Sequence, residues 1–456
     1  MKSHPDIFFL EAAPMKSKPV PVAGVDVSKE FSDMCILTPD NAVFERVKIY
    51  HDKASMTQSV KALARAGAAF GQRPVVVMES TSHYHRTLQQ FLTRHKYQVI
   101  TINPLQSSAF KNVTVRKIKS DPTDAYRLAL AYRTQALRPN LVPSDKIENL
   151  RLLTRQHFDL KRDITSYVQR LQCVLDQVFP GFRKQFERLH CETSLIILEQ
   201  YPTPEALKRA RTSSIAKIFQ CAARRSPEYC RKRAEALKAE ALKALEIRVS
   251  RESADLLIKA YVSVLRALEQ TIRQVDDEIH RVIQSDPKLL ADVELLCSIP
   301  GVAEFGAAVI IAEIGDFSNF RKAKQLVAFF GLEPSVHQSG KYVGKNNQLS
   351  KRGSRFMRKM LHLIVQTNIA HLPGKPDVYR NPVISDYYKK KCESKAKLAA
   401  CCAVMHKLVN IIFAVLRDRK PYSTSFPALS RLSMGAMKSF MLTAEVLAGH
   451  FVRSLA

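Results

Sequence analysis

The chain has 456 residues, and its 71 Lys plus Arg against 42 Asp plus Glu give a formal net charge of +29. That length suggests two or three domains, the 46% apolar content allows each a core and excludes wholesale disorder, and the charge points to a polyanionic partner. No apolar run reads as the roughly 18 residues that span a bilayer, and Asp6, Glu11 and Pro14 do not fit a signal peptide.

A soluble protein of the cell interior without a membrane partner is therefore expected. The nine cysteines form no C-x-x-C pair and no zinc pattern, so free thiols in a reducing compartment are expected. With 14 Gly and no phosphate-cradling Gly motif, the sequence offers no nucleotide-driven motor.

Residues 1–19 read as a leader. Short β-branched runs at 20–27, 33–37 and 42–49 predict three successive strands. A helix over 53–70 should end at Gly71, followed by a buried strand at 74–78, a helix over 84–95 and a strand at 98–102. Three strands and then alternating helix and strand predict a mixed α/β unit over 20–144, of RNase H-like or RuvC-like order. From 145 to 290 strand signals vanish and apolar residues recur every three or four positions. That predicts long helices packed as a coiled-coil-like hairpin, with a basic Ala-rich stretch over 231–243. A third, mostly helical unit spans 291–422, and 423–456 reads as a C-terminal appendage.

Asp26 sits inside the first strand, where a carboxylate among apolar neighbours needs a cation or donors. Glu79 ends the strand 75–79, at the edge where α/β sheets collect their sites. Asp121 and Asp124 are three apart, so a helix from about Pro122 puts them on one side of its first turn. Together these four acids can supply oxygen ligands to two Mg²⁺ ions. Asp121 is also a natural N-cap before Pro122, and Glu79 can cap the next helix.

Between Glu333 and Asp377 there is no acid, while Lys341, Lys345, Lys351, Arg352, Arg355, Arg358 and Lys359 fall close together. Ser339-Gly340 and Ser350-Lys-Arg-Gly353 lie among them, and Gly beside Ser lets backbone N–H groups approach a phosphate. Ile299-Pro-Gly-Val-Ala-Glu-Phe-Gly306 is similar to a helix-hairpin-helix, whose Gly turn, here Gly301, donates to DNA phosphate. Ala303 stands where a second hairpin glycine is usual, and a purely structural turn is an equal reading.

Gly24-Val-Asp-Val-Ser-Lys29, Val77-Met-Glu-Ser80, Lys119-Ser-Asp-Pro-Thr-Asp-Ala125 and the stretch from Ile299 to Arg358 resemble the DEDD-type insertion-sequence transposases of the IS-one-ten family, with Piv-type invertases as relatives. The resemblance covers about 20–140 and 290–422; the middle matches only as a helical spacer and is longer than expected. It implies a RuvC-like domain whose metal ligands are Asp26, Glu79, Asp121 and Asp124, with Mg²⁺ as the ion and Mn²⁺ as an alternative. It implies a C-terminal transposase domain whose nucleophile is Ser339, in the family's Ser-Gly element, with Ser350 as the alternative. It also implies a structured guide (bridge) RNA, double-stranded donor and target DNA, and a homodimer that assembles into a tetramer in the bacterial cytoplasm at the nucleoid.

A phosphoserine intermediate conserves bond energy, which suits a chain without an ATP motif. The rival readings are a protein-only DNA invertase, a RuvC-like nuclease and a non-enzymatic basic nucleic-acid-binding protein.

Overall fold

A computed structural model describes residues 20–79, 84–102, 121–133, 144–223, 225–247, 253–335, 338–339, 342–343, 348–372 and 374–423. The leader over 1–19, Lys341, Lys345 and all of the appendage except residue 423 lie outside them. The chain forms two compact units, residues 1–142 and 143–456.

In the first unit β1 (Val22–Val27), β2 (Phe31–Leu37), β3 (Val43–Tyr50), β4 (Val75–Glu79) and β5 (Val99–Ile102) form one sheet, in the order β3-β2-β1-β4-β5. β1, β2 and β3 pair antiparallel, whereas β4 and β5 join β1 in parallel. Between them run α1 (Lys53–Phe70) and α2 (His85–Arg94), and α3 (Asp121–Arg133) follows. The α1 helix starts where Asp52 Oδ1 accepts from the Ser55 N–H at 2.7 Å, and it stops at Gly71, whose φ of 67° suits a residue without Cβ.

Alternation along the strands builds two apolar layers. Val25, Met34, Ile36, Ile49, Val76 and Met78 pack against α1 and α2. Val22, Cys35, Leu37, Val75 and Val77 pack against Ala125, Leu128 and Ala129 of α3. The far end of α3 is tied down by Arg133, which donates to the carbonyls of Pro39, Val20 and Thr38 at 2.6, 2.7 and 3.0 Å.

The second unit is helical. Two long helices, α4 (Asp145–Val178) and α9 (Ala254–Gln284), run antiparallel along each other. Buried Ile164, Leu171 and Val178 recur every seven residues, as do Leu265, Ile272 and Ile279. Between them α5 (Glu192–Gln200), α6 (Pro204–Arg209), α7 (Thr212–Ala223) and α8 (Pro227–Ile247) close around the hairpin's far end with a core of Phe179, Phe182, Phe186 and Phe219.

At the near end, Leu150, Phe158, Ile279 and Ile283 share a core with α10 (Pro287–Cys297), α11 (Glu304–Ile314), α12 (Ala323–Phe329), α13 (Arg355–Ile369), α14 (Pro382–Cys392) and α15 (Lys397–Asp418). Arg155 fixes this junction with a two-pronged bond to Glu313 at 2.7 and 2.9 Å. Glu313 is 3% exposed, so loss of the arginine would strand a buried carboxylate at a cost of about 3–5 kcal/mol. The near end of the hairpin thus shares a core with 291–422, while its far end keeps a core of its own.

One sequence expectation is corrected. The α15 helix is 22 residues long and apolar enough, by length and composition, to cross a membrane. His406, Lys407 and Asn410 interrupt the run in sequence, yet the helix is largely buried in the second unit's core, which explains its apolar character.

Candidate active sites of the two units

The β1 strand is buried at every position except Asp26, and β4 at every position except Glu79. The parallel register pairs Val25 with Met78, so Asp26 and Glu79 are the next residues along neighbouring strands. Alternation puts both on the α3 side, with Val22, Val75 and Val77.

The α3 helix reaches that face only because residue 24 is glycine. A Cβ there would stand 2.0 Å from the Ala125 carbonyl oxygen and 2.7 Å from the Ala129 nitrogen. This backbone contact brings Asp124, the residue before Ala125, to the sheet. Asp124 is 5% exposed and accepts from Arg127 Nη1 at 3.2 Å. Asp121 begins the same helix, one turn earlier on the same side; its side chain lies outside the described residues. Asp121 is the first helical residue of α3, and the residue before α2 is Tyr84, which makes no side-chain cap.

The register adds an acid that sequence reasoning left without a role. Asp33 of β2 pairs directly with Asp26 across the antiparallel ladder. Two carboxylates opposite each other repel unless a cation or donor intervenes. Its only sequence signal is that Asp26 and Asp33 flank a tight β1–β2 turn symmetrically. Among the described residues no three His, Cys, Asp or Glu groups close on a single point. Asp26, Glu79 and Asp124 carry carboxylate oxygens, the donor type that a hard cation such as Mg²⁺ prefers, and Asp121 precedes Asp124 by about one helical turn.

In the second unit the basic segment is built around two glycines. Gly331 follows α12 with φ 67°, and a Cβ there would meet the Arg352 nitrogen at 2.6 Å. A Cβ on Gly353 would lie 2.3 Å from the Phe329 carbonyl oxygen. Backbone thus packs on backbone, and residues 350–353 are pressed onto the end of α12. Lys351 adopts φ 54° and its N–H donates to the Gly331 carbonyl at 3.1 Å. In a chain this poor in glycine, the spacing of Gly331 and Gly353 was the available signal.

Ser350 is held in this turn. Its N–H donates to the Glu333 carbonyl at 2.9 Å, and its Oγ accepts from the Arg352 N–H at 3.3 Å. The cap of α13 is Ser354, whose Oγ accepts from the Met357 N–H at 3.1 Å. Ser339 lies on the two-residue strand β6 (Gln338–Ser339), paired with Tyr342 of β7 (Tyr342–Val343), so it stands at the tip of a hairpin. Its side chain is outside the described residues.

Lys351, Arg352, Arg355 and Lys359 are exposed. Arg358 differs from them: its Nη1 donates to the Phe330 and Gly353 carbonyls at 3.1 and 2.9 Å, and burial pushes its guanidinium pKa down. It braces the turn from within.

Gly301 forms the turn between α10 and α11 with φ 79°, and a Cβ would meet Asn368 Nδ2 at 2.7 Å. Asn368 is fully buried and donates to the Pro300 and Ile364 carbonyls at 2.7 and 2.8 Å, while its Oδ1 accepts from Asn381 at 2.9 Å. Glycine here admits the amide that holds the turn, which is a structural reason for the residue.

A family model of the DEDD type, described as a transposase, matches residues 23–180; a second, described as transposase IS116/IS110/IS902 family, matches residues 293–389. The chain belongs to the IS116/IS110/IS902 transposase family. It is a DNA transposase or recombinase, and its acid row and its basic serine-bearing segment fall in different matched regions.

An insertion element IS116 protein of Streptomyces clavuligerus is 24% identical over 417 residues, covering 89% of this chain and 96% of its own length. The mini-circle putative transposase for IS117 of Streptomyces coelicolor is 27% identical over 348 residues, covering 72% of this chain and 81% of its own. The pilin gene-inverting protein of Moraxella bovis is 29% identical over 180 residues, 38% of this chain and 52% of that protein. Residues 181–292, which include α5 to α8 and all of α9, lie outside both family matches.

Proposed function

We propose that this family member is an RNA-guided, Mg²⁺-dependent transposase that cuts and rejoins double-stranded DNA through a phosphoserine. The observation that carries the reading is the adjacency of Asp26 and Glu79 on neighbouring parallel strands, with Asp124 brought onto the same face through Gly24. The strand order β3-β2-β1-β4-β5 supports an RNase H-like, RuvC-like class for this unit. The heptad spacing along α4 and α9 supports a coiled-coil spacer.

Asp26, Glu79, Asp121 and Asp124 would hold the metal, which supplies positive charge to the phosphoryl oxygens and to the attacking and leaving oxygens. The serine Oγ attacks phosphorus, one P–O bond forms as another breaks, and a deoxyribose hydroxyl leaves. Attack by the hydroxyl of the other strand reverses the step and restores the serine, so no nucleotide is consumed. Lys351, Arg352, Arg355 and Lys359 hold the backbone and offset the charge that develops. Replacing Lys351 and Arg352 together by Ala is expected to flatten the slope of log affinity against log salt by about 1.8, close to 0.9 per phosphate contact. Filter binding over a salt series measures this, and an unchanged slope would return the segment to ordinary surface.

The likeness to a pilin gene-inverting protein favours one rival, an invertase that works without guide RNA. Sequencing of the nucleic acid that co-purifies with the protein separates the two. A single structured RNA, whose removal by ribonuclease stops strand exchange and whose return restores it, is expected. Exchange unaffected by ribonuclease would select the protein-only invertase. In either case the protein is expected to form a dimer that pairs into a tetramer on DNA.

A further inference from the structure

The sheet face that carries the acid row continues beyond it onto the edge strands. The antiparallel register sets Asp33 beside Lys48 of β3, so one level across the sheet reads Glu79, Asp26, Asp33, Lys48. The next level on the same side holds Phe31 and its partner Tyr50. Their neighbours Ile49 and Val47 point into the α1 side, which leaves Phe31, Lys48 and Tyr50 on the side of the acids.

Tyr50 is 51% exposed although it is a large aromatic on an edge strand. Phe31 meets it edge-on at 6.4 Å, and Lys48 Nζ stands 3.6 Å from the Phe31 ring centre. Cross-strand packing accounts for the pairing itself, but an open ring beside an ammonium group is also what an unpaired nucleic-acid strand uses, with a base on the ring and a phosphate on the cation. Strand spacing places Tyr50 about 12 Å from Asp26, two strands over and one same-face step along, hence a few nucleotides from a phosphate held at the acids.

We infer that Tyr50, supported by Phe31 and flanked by Lys48, stacks a base of the unpaired DNA strand whose phosphate lies at the acid row. This rests on reading that row as the reaction site. An unpaired strand is the occupant because the ring's π-face accepts any base, whereas a paired base keeps its faces inside the stack. The positive charge of Lys48 matches the strand's phosphates.

The test uses the full chain in EDTA, so that no cleavage enters, with a short fluorescein-labelled single-stranded DNA, the matching duplex and the matching RNA. Tyr50→Ala and Tyr50→Leu are expected to weaken single-stranded DNA binding roughly tenfold, ~1.4 kcal/mol, with duplex binding within about twofold of wild type. The leucine keeps the packing on Phe31, and Tyr50→Phe should bind as wild type does. Wild-type affinity of both Tyr50→Ala and Tyr50→Leu for the single strand would overturn the inference. So would equal losses on duplex, or a loss confined to RNA. The metal reading is tested separately, by strand exchange with Mg²⁺ and in EDTA, so its failure and failure of the stacking site give different results.

Discussion

Asp26→Asn and Asp124→Asn proteins are each expected to lose strand exchange by about a thousandfold or more, equivalent to ~4 kcal/mol of transition-state stabilisation. Both substitutions keep size and one acceptor oxygen, remove the charge and turn the other oxygen into an N–H donor. Asp26 is the one partly exposed residue of an otherwise buried strand, so its replacement leaves the core of β1 intact. In Asp124→Asn the partner Arg127 keeps an oxygen acceptor.

The variants should still bind DNA, because the exposed cations of the second unit are unchanged. A thermal readout accompanies the kinetic one. Asp26 faces Asp33 across the ladder, so a cation held at Asp26 should stabilise the folded wild type. Mg²⁺ should then raise the melting midpoint of the wild type and leave that of the variant unmoved, since a ligand stabilises only the state that binds it. Full exchange activity in either variant, or undiminished activity in EDTA, would sink the metal assignment.

The second large effect concerns the serine. A covalent mechanism requires a protein–DNA adduct that resists SDS and is removed by protease. Ser339 stands at the tip of the β6–β7 hairpin, followed by glycine and then lysine. Ser350 sits in a turn that two glycines press onto α12, and its Oγ already accepts from the Arg352 N–H. Ser339→Ala is therefore expected to lose the adduct entirely while binding DNA normally. Ser350→Ala should form adduct at a reduced rate and lose about 0.5–1.5 kcal/mol of stability with its hydrogen bond. Mass spectrometry of the DNA-linked peptide decides between them. An adduct on Ser350 would transfer the role, and exchange without any adduct would overturn the serine mechanism.

Much of this was readable before the structure because it is local. The strands and helices of the first unit follow from runs and periods a few residues long, and their boundaries agree with the sequence reading to within a residue or two; the largest shifts are at the starts of β1 and β2. In β2, Phe31 and Ser32 extend the strand beyond its expected start at Asp33, since pairing with β1 begins at the turn. Asp26 was legible as a carboxylate inside an apolar strand and Glu79 as one closing an apolar run. The two long helices were legible from repeating apolar positions, and the basic segment from the absence of acids over more than forty residues.

What remained hidden depends on residues far apart in the chain. Asp33 and the row of Phe31, Lys48 and Tyr50 become neighbours of the acids only through strand register and the choice of edge strand. Gly24 matters because a helix about a hundred residues later lies on it, and Gly331 and Gly353 matter because they face each other. Arg358 reads as one cation among seven until its two carbonyl partners are seen. The α15 helix escapes a search for apolar runs because three polar residues interrupt it, and only the surrounding core shows why the rest is apolar. Sequence by itself determined the element types, the acids on β1, β4 and α3, and the charge that calls for nucleic acid, because these rest on nearest-neighbour periodicity and composition. The tertiary structure alone decided which side chains share a face and which backbone atoms touch, because those contacts are made only when distant segments pack together.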